Sequence, residues 1–455
     1  MAMTVKRMDW NKLLSSQRYQ PGSTPSLFKS HDRSQFQRDY DRMIFSSPFR
    51  RLQNKTQVFP LPGNVFVHNR LTHSLEVASV GRSLGNKIAQ YIKEREQLEH
   101  PEVLEEIGTI VSTACLAHDL GNPPFGHSGE EAISDFFLEG EGQYLKKLLT
   151  DEEWADISHF EGNANAFRLL THTFNGRRPG GYSMTYTTLA SIVKYPYESK
   201  ASVKGFKYGF FQSEKEAFRE VADALGLMQV SESPLRYARH PLVFLVEAAD
   251  DICYQIMDIE DSHKLKILSY EETTQILLNF YDKEEDKEDL KTITRTFKVV
   301  TDKNERIAFL RAGIINKLIN ACADIFCQHY EGILSGTFQQ ALVKNLSGNN
   351  KSAYETCSEL AYTRIYHTGI VTQIQIAGFK ILATLLKEYT EAIFKPETYY
   401  ARNILSIMPE QYKVQQEDSI YTKIQTVIDY VSGMTDSYAL NLYRKIKGID
   451  LPEIR

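Results

Sequence analysis

The sequence has little of what marks disulfide-rich, membrane-spanning or strongly basic proteins. Only 5 of its 455 residues are cysteines; this number is odd, and no close pair has the CxxC spacing of a metal site. No run of 18 apolar residues is present, so a membrane-spanning helix is not expected. The net charge of -5 gives no global positive field that would recruit nucleic acid, although a local basic cleft remains possible.

The cysteines and the N-terminal segment both bear on where the protein resides. Cys115 and Cys253 lie in apolar runs, which predicts buried, reduced thiols and favours a reducing compartment. The first residues, MAMTVKRMDWNKLL, lack the apolar stretch and the cleavage site of a signal peptide. We therefore expect a cytoplasmic protein that does not enter a membrane.

Helical periodicity dominates the rest of the chain, whose 42% hydrophobic and 24% charged residues are typical of a globular protein. Near the N-terminal third, one predicted helix would place an apolar stripe along one face, formed by Leu75, Ala78, Leu84, Ile88 and Tyr91. Period-two alternation is scarce, so the sequence predicts a mainly α-helical fold.

Other segments extend this prediction along the chain. Helices are expected over residues 103–120, 241–260, 370–389 and 420–431, and the first of them should end at the break around Gly121. Short β-hairpins or loops fit residues 57–67 and 203–211. The charged run at residues 282–291 is interpreted as a solvated loop or helix face.

Two histidines and two aspartates form the strongest chemical signal. His118 and Asp119 follow an apolar helix just before Gly121, and adjacent helical residues can meet one ion only near such an end. His73 begins another helix, and Asp250 lies inside an apolar one, where a carboxylate is costly unless paired or metal-bound. Each residue alone has an ordinary structural explanation, but together they indicate one site for a divalent ion such as Zn²⁺, Mn²⁺, Fe²⁺, Ni²⁺ or Mg²⁺.

Five motifs occur in order from about Phe49 to Asp261: FRRLQNKTQV, HNRLTHSLEV, AHDLGNPPFGHSGEEA, FEGNANAFRLL and EAADDICYQIMDIED. Together they resemble the successive motifs of the deoxyguanosine triphosphate triphosphohydrolases. These HD-domain enzymes cut a deoxynucleoside triphosphate (dNTP) into the nucleoside and inorganic triphosphate. The resemblance is weaker through LAYTRIYHTGIVTQIQIAGFKILATLL.

The resemblance implies a division of the chain into three parts. An N-terminal segment at residues 1–63 would contribute to the active site, residues 64–265 would form the HD-domain core, and residues 266–455 would pack on it as additional helices. It also implies that the divalent metal is held by the quartet His73, His118, Asp119 and Asp250. Asp251 would then lie behind the site or form a structural ion pair.

A catalytic pair is implied just beyond the metal motif. His127 lies nine residues after His118, and Glu130 is three residues further, within reach of His127 if a helix begins there. In the resembled family this pair is catalytic. His127 would either protonate the leaving 5′-oxygen or activate water. The ordinary alternative is a surface histidine beside a helix cap.

Substrate contacts are implied on several elements. Arg70 and Lys194 would bind the triphosphate, and Arg50 would either do the same or form a structural ion pair. By spacing alone, Asp250, Tyr254 and Asp258 share one helix face.

By resemblance, Tyr254 packs on the sugar and Asp258, together with Gln57, binds its 3′-hydroxyl. Tyr366 is carried over as a further residue near the nucleotide. The ordinary alternatives are a core position for Tyr254 and a solvated Asp258.

Two departures from some relatives bear on specificity. Asn122 stands where those relatives have a second histidine, and Phe160-Glu161 stands where they have His-Glu. Both fit the guanine-nucleotide branch, so we expect metal-dependent hydrolysis of a dNTP, with dGTP favoured, to deoxynucleoside and inorganic triphosphate.

Other functions and partners stay open at this point. One alternative is a different HD phosphohydrolase, acting on a nucleoside monophosphate, a cyclic dinucleotide or an alarmone. Another is a degenerate HD protein that only binds nucleotide or single-stranded nucleic acid. The resemblance further implies a homo-oligomer, often a hexamer, and a nucleotide or single-stranded DNA effector.

Overall fold

The computed structural model describes residues 7–20, 33–57, 68–202, 206–366 and 369–451, and helices dominate these ranges. The expected mainly α-helical class is confirmed. The α-helices are, in chain order, α1 (Trp10–Leu13), α2 (Gln35–Ile44), α3 (Ser47–Arg51), α4 (Arg70–Arg95), α5 (Ile107–Ala117), α6 (His127–Leu138), α7 (Asp151–Ser158), α8 (Gly162–Thr171), α9 (Tyr186–Ile192), α10 (Lys215–Ala224), α11 (Val243–Lys264), α12 (Tyr270–Leu278), α13 (Lys287–Val299), α14 (Lys303–Gln328), α15 (Tyr330–Leu334), α16 (Gly348–Leu360), α17 (Gly369–Phe394), α18 (Tyr399–Ser406), α19 (Ile420–Ser432) and α20 (Asp436–Ile446).

Among the described residues, the only sheet is one antiparallel hairpin, formed by β1 (Gln229–Glu232) and β2 (Leu235–Tyr237). It lies at neither position predicted for a hairpin. Of those positions, residues 58–67 and 203–205 fall outside the described residues, and residues 206–211 contain no strand. Within the described ranges, no helix is both long enough and apolar enough to cross a membrane.

Helices α4 and α5 pack closely against each other near the centre of the protein. A side-chain carbon built on Gly85 of α4 would lie only 2.9 Å from the Cα of Gly108 in α5. A larger residue at either position would therefore push the two helices apart. This close approach holds the first turn of α4 beside the end of α5, where His73 and His118 lie.

The buried face of α4 differs from the predicted stripe at one end. Leu75 is 46% exposed, so its assignment to the stripe was wrong. At about 100° per residue, Leu75 lies on the opposite side of the helix from Leu84. The buried face instead continues through Ile88 to Ile92, both fully buried.

Two apolar clusters form the core. The first runs from Met8 to Val371 and surrounds α4, α5, α11 and α14. The second joins residues 132–211 to residues 381–442, with α17 packed on α6. Both clusters combine residues from either side of position 265, and the proposed division at 63 and 265 stays a prediction. Cys115 and Cys253 are buried free thiols, as predicted.

Candidate metal centre and active site

The ends of two helices place the two histidines. His73 lies in the first turn of α4, whose N-cap Asn69 accepts a hydrogen bond from the backbone of Thr72. His118 follows the last residue of α5, and its Nδ1 donates to the carbonyl of Cys115 at 2.6 Å. This bond leaves Nε2 of His118 as the nitrogen that faces the other acidic and imidazole groups.

The predicted quartet comes together at one point. His73, His118 and Asp119 each offer a ligand atom within 4.8 Å of the others. Oδ1 of Asp250 lies 3.0 Å from Nε2 of His73 and 3.4 Å from Nε2 of His118. Nε2 of His118 is buried and has no hydrogen-bond partner. Two imidazoles and two carboxylates fit a divalent transition-metal ion or Mg²⁺.

The charges of the cluster are strongly coupled. Burial opposes the charged form of His118, but Asp119 and Asp250 outweigh it and raise the pKa of His118 to about 9. Despite burial, the two histidines hold the pKa of Asp250 well below its usual range. A metal ion binds neutral imidazoles and ionised carboxylates. A bound cation would therefore displace the imidazole proton of His118 and take its place beside the two carboxylates.

Two neighbours orient Asp119. Arg70, itself buried, donates from Nη1 to Oδ2 of Asp119 at 2.7 Å. Asn122 donates from Nδ2 to Oδ1 at 2.5 Å. Asn122 thus takes a supporting position where some relatives have a histidine. Arg70 lines the cleft and is paired with a candidate metal ligand, and its contact with the triphosphate stays a prediction.

His127 and Glu130 lie at the start of α6. The two residues before it, Phe125 and Gly126, have φ values of +64° and +62°. After this unusual turn, His127 lines the same cleft as His118, Asp119 and Asp250. Nδ1 of His127 lies 2.9 Å from Oε2 of Glu130, whose Oε1 accepts from the backbone of Gly162 at 2.8 Å. The hydrogen bond to Glu130 raises the pKa of His127, although the imidazole is 75% exposed.

Helix α11 forms the wall beside the metal cluster. Tyr254 lies edge-on to His73, with ring centroids 6.3 Å apart. Asp258 is only 5% exposed, so the alternative of a solvated Asp258 is wrong. Burial raises its pKa to about 7, and the hydroxyl of Tyr366 donates to its Oδ2 at 2.6 Å. Gln57 lines the adjoining cavity together with Tyr254 and Asp258, and its Oε1 is buried without a partner.

The cations of the cleft are held by acidic side chains. The cleft has a volume of about 290 Å³ and is lined by Lys194, which pairs with Glu247 at 3.1 Å. It is also lined by Lys207, which pairs with Glu161 at 2.7 Å. No sequence motif drew attention to Lys207, because it lies between the recognised motifs.

Arg50 lies outside this cleft. It is exposed in α3 and does not appear among the residues that line the cavity. The structure therefore does not place Arg50 with the other predicted phosphate contacts, and its role stays a prediction. Asp251 does line the cleft, and burial raises its pKa to about 7.

The helical core and the histidine–aspartate cluster define the class of protein. Residues 70–194 match the family model of the HD domain. Residues 346–445 match the model described as the phosphohydrolase-associated domain. The chain is therefore an HD-domain protein that carries the companion domain of phosphohydrolases.

Relatives that match nearly the whole chain show to which family of HD-domain proteins it belongs. The chain is 39% identical to a deoxyguanosinetriphosphate triphosphohydrolase-like protein of Synechocystis sp., over 98% of this chain and 100% of the relative. A protein of the same name from Listeria monocytogenes is 32% identical over 97% of this chain and 100% of the relative. The deoxyguanosinetriphosphate triphosphohydrolase of Yersinia enterocolitica is 28% identical over 90% of this chain and 93% of the relative. The chain belongs to the deoxyguanosine triphosphate triphosphohydrolase family of enzymes, as the resemblance predicted.

Proposed function

We propose that this protein hydrolyses a dNTP, with dGTP the favoured substrate, to the deoxynucleoside and inorganic triphosphate. The observation that carries the proposal is the meeting of His73, His118, Asp119 and Asp250 at a cleft that the His127–Glu130 pair also lines. Family membership directs this chemistry to a dNTP, and the names of the relatives favour guanine.

The metal is assigned to the four residues of the cluster. A divalent ion held there would neutralise phosphate charge and lower the pKa of a bound water. The buried Nε2 of His118 supports this assignment, because it lies 3.4 Å from Oδ1 of Asp250 and 3.6 Å from Oδ2 of Asp119, close enough for one cation to be shared by the three groups. The candidate ions are Mg²⁺, Mn²⁺, Fe²⁺, Ni²⁺ and Zn²⁺.

In the proposed reaction a bond from water to phosphorus replaces the bond from phosphorus to the 5′-oxygen, and the proton that water loses balances the proton that the 5′-oxygen gains. The oxygen of water attacks the α-phosphorus, the bond from that phosphorus to the 5′-oxygen breaks, and the 5′-oxygen takes a proton. Glu130 engages Nδ1 of His127, so Nε2 is the atom available to exchange this proton. Because Glu130 raises the pKa of His127, a larger protonated fraction is present near neutral pH, which suits a general acid.

The sugar is assigned to the wall formed by α11. The buried carboxyl of Asp258 and the unpartnered oxygen of Gln57 offer polar groups for a 3′-hydroxyl. The ring of Tyr254 lines the same cavity as Gln57, Asp258 and His73, and it would oppose a 2′-hydroxyl sterically. Selection of deoxynucleotides over ribonucleotides follows from this arrangement.

Product analysis in ¹⁸O-water tests the reaction. Each dNTP is incubated with the purified protein and Mn²⁺ or Mg²⁺, with a chelator as control, and the products are separated by ion exchange. Equal amounts of nucleoside and triphosphate, with the label in triphosphate, are expected. Orthophosphate or pyrophosphate as the sole inorganic product, or label in the nucleoside, would overturn the proposal.

The same assay separates the alternatives. Nucleoside monophosphates, cyclic dinucleotides and alarmones are tested in parallel, since preferential turnover of one of them would identify a different HD phosphohydrolase. A protein that binds dNTPs but turns none over with any of the metals would be a degenerate HD protein. His127→Ala should abolish most turnover, and unchanged activity would remove His127 from the mechanism.

Assembly, effectors and location are also carried as proposals. We expect a cytoplasmic homo-oligomer, with a hexamer as the first assembly to test, and activation by a nucleotide or by single-stranded DNA. Light scattering after size exclusion measures the assembly. Turnover of the four dNTPs, alone, in pairs and with a DNA oligonucleotide, measures activation. A strictly monomeric protein would contradict the first expectation. Turnover of paired dNTPs equal to the sum of their separate rates, with no change on adding DNA, would contradict the second.

A further inference from the structure

Asp436 connects the C-terminal region to a segment of the active site from the other end of the chain. It is the first residue of α20 and is only 6% exposed. Its Oδ2 accepts from the backbone nitrogen of Thr56 at 3.0 Å and from the Thr56 hydroxyl at 2.6 Å. Thr56 directly precedes Gln57, which lines the cleft. The Asp436 carboxylate therefore anchors the segment that places Gln57 in the cleft.

The other oxygen of the same carboxylate reaches the catalytic turn. Oδ1 of Asp436 accepts from the backbone nitrogen of Phe125 at 3.0 Å. Phe125 has a φ of +64°, a conformation that a bulky residue rarely adopts unless its surroundings enforce it. His127 follows two residues later, and its place in the cleft beside His118, Asp119 and Asp250 depends on this turn.

A buried lysine makes a second connection between the same segments. Lys55 is only 3% exposed, and its Nζ donates to the carbonyl of Asn122 at 2.5 Å and to that of Ser432 at 3.0 Å. Ser432 is the last residue of α19, where carbonyl groups favour a positive charge. Hydrogen bonds from a buried lysine and to a buried carboxylate thus join residues 55–56, 122–125 and 432–436.

We propose that Asp436 is a positioning residue that fixes His127 and Gln57 relative to the metal cluster. It is not one of the residues that line the cleft, and it acts through the backbone of Phe125 and through Thr56. This inference rests on the proposed function, because it assigns a task to His127 and Gln57. It also gives the phosphohydrolase-associated region a direct part in shaping the active site.

A double-mutant cycle with His127 tests the inference. An asparagine at position 436 has one acceptor oxygen for donors that now use both carboxylate oxygens, so at least one bond is lost. Asp436→Asn should lower kcat by about tenfold or more in the otherwise unchanged protein. In the His127→Ala background it should change kcat by less than about twofold, because the residue through which it acts is gone.

Amide hydrogen exchange supplies a readout that does not need turnover. Asp436→Asn should speed exchange in the peptide over residues 122–128, and metal content measured by mass spectrometry should be unchanged. The matched control is Asp151→Asn, since Asp151 is also the first residue of a helix but is 85% exposed. Equal losses of kcat in both backgrounds, or unchanged exchange over residues 122–128, would overturn the inference.

A milder variant covers the case in which Asp436→Asn does not fold. Thr56→Val keeps the shape of the side chain and the bond from Asp436 to Phe125 but removes the hydroxyl donor. It should raise KM about threefold or more and leave kcat within about twofold, because only the Gln57 segment is loosened. A loss of kcat with unchanged KM would contradict the assignment.

The two proposals fail in different ways. If the wild-type protein hydrolyses no dNTP, the proposed function fails, but exchange over residues 122–128 still tests the anchoring by Asp436. If dNTPs are hydrolysed and neither the cycle nor the exchange shows coupling, only the role of Asp436 is refuted.

Discussion

Glu130→Gln should slow turnover and shift its pH dependence, because Glu130 controls the protonation of His127. The carboxylate is buried, accepts from Gly162 and lies 2.9 Å from Nδ1 of His127. Glutamine can keep the bond to Gly162 but presents an amide N–H to His127, which favours the neutral imidazole. Loss of the charged partner therefore lowers the pKa of His127.

The expected size follows from the bond that is lost. A hydrogen bond to a charged group contributes about 1.5–3 kcal/mol. Because the imidazole of His127 is 75% exposed, solvent screens the pair and the lower part of this range applies. A loss of about 1.5–2 kcal/mol in the transition state corresponds to a fall in kcat of about ten- to thirtyfold.

The assay is the pH profile of kcat/KM, with Glu131→Gln as the matched control on the exposed side of the same helix. If His127 acts as the general acid, activity is lost as pH rises through its pKa, so the alkaline limb moves to lower pH in Glu130→Gln. If it activates water, the acid limb moves to lower pH instead. Neither limb moving to lower pH, or an equal effect of Glu131→Gln, would refute the reasoning.

Further variants test the metal site, the sugar wall and the buried charges. Asp250→Asn should lower bound metal, measured by mass spectrometry, and reduce kcat more than about 100-fold, whereas Asp251→Asn should keep the metal; equal metal in both variants would contradict the ligand assignment. Tyr254→Ala should lower the ratio of dGTP to GTP turnover by about tenfold or more, and an unchanged ratio would remove Tyr254 from sugar selection. Asp429→Asn removes a partner of the buried Arg168 at 2.8 Å and should cost about 3–5 kcal/mol of stability. Denaturant unfolding measures this cost, and an unchanged midpoint would show that the buried pair contributes little.

Local patterns predicted much of the fold, and their failures have physical causes. The predicted helix at residues 420–431 is the helix Ile420–Ser432, because its apolar residues recur with helical spacing. Leu75 is exposed because its angle around α4 places it opposite Leu84, so apolar character alone does not assign a residue to the buried face. The hairpin Gln229–Tyr237 was missed, although Ser233-Pro234 between two short apolar-polar alternations is a turn signal.

The candidate site was predicted as a set of residues, but not as a set of connections. The resemblance named His73, His118, Asp119 and Asp250, and the structure brings them together. It could not indicate that Asp436 bonds to Phe125, because a single sequence has no signal that pairs residues 311 positions apart. Lys207 was missed for a similar reason, since its partner Glu161 lies on another loop.

The charge of the cleft supports a reaction that depends on divalent cations. The described lining contains twice as many carboxylates as Lys or Arg side chains. The carboxylates are Asp119, Glu130, Glu161, Glu247, Asp250 and Asp251, and the cations are Arg70, Lys194 and Lys207.

Each of these cations already pairs with one of the acids, at 2.7, 3.1 and 2.7 Å. A triphosphate carries several negative charges, so side chains alone would repel it from the acids that remain. Divalent ions bound at the quartet and on the triphosphate itself would offset this excess of negative charge. Lys194 and Lys207 could then exchange their carboxylate partners for phosphate oxygens as the substrate enters. The acidic lining would thereby select for the metal-bound nucleotide over the free one.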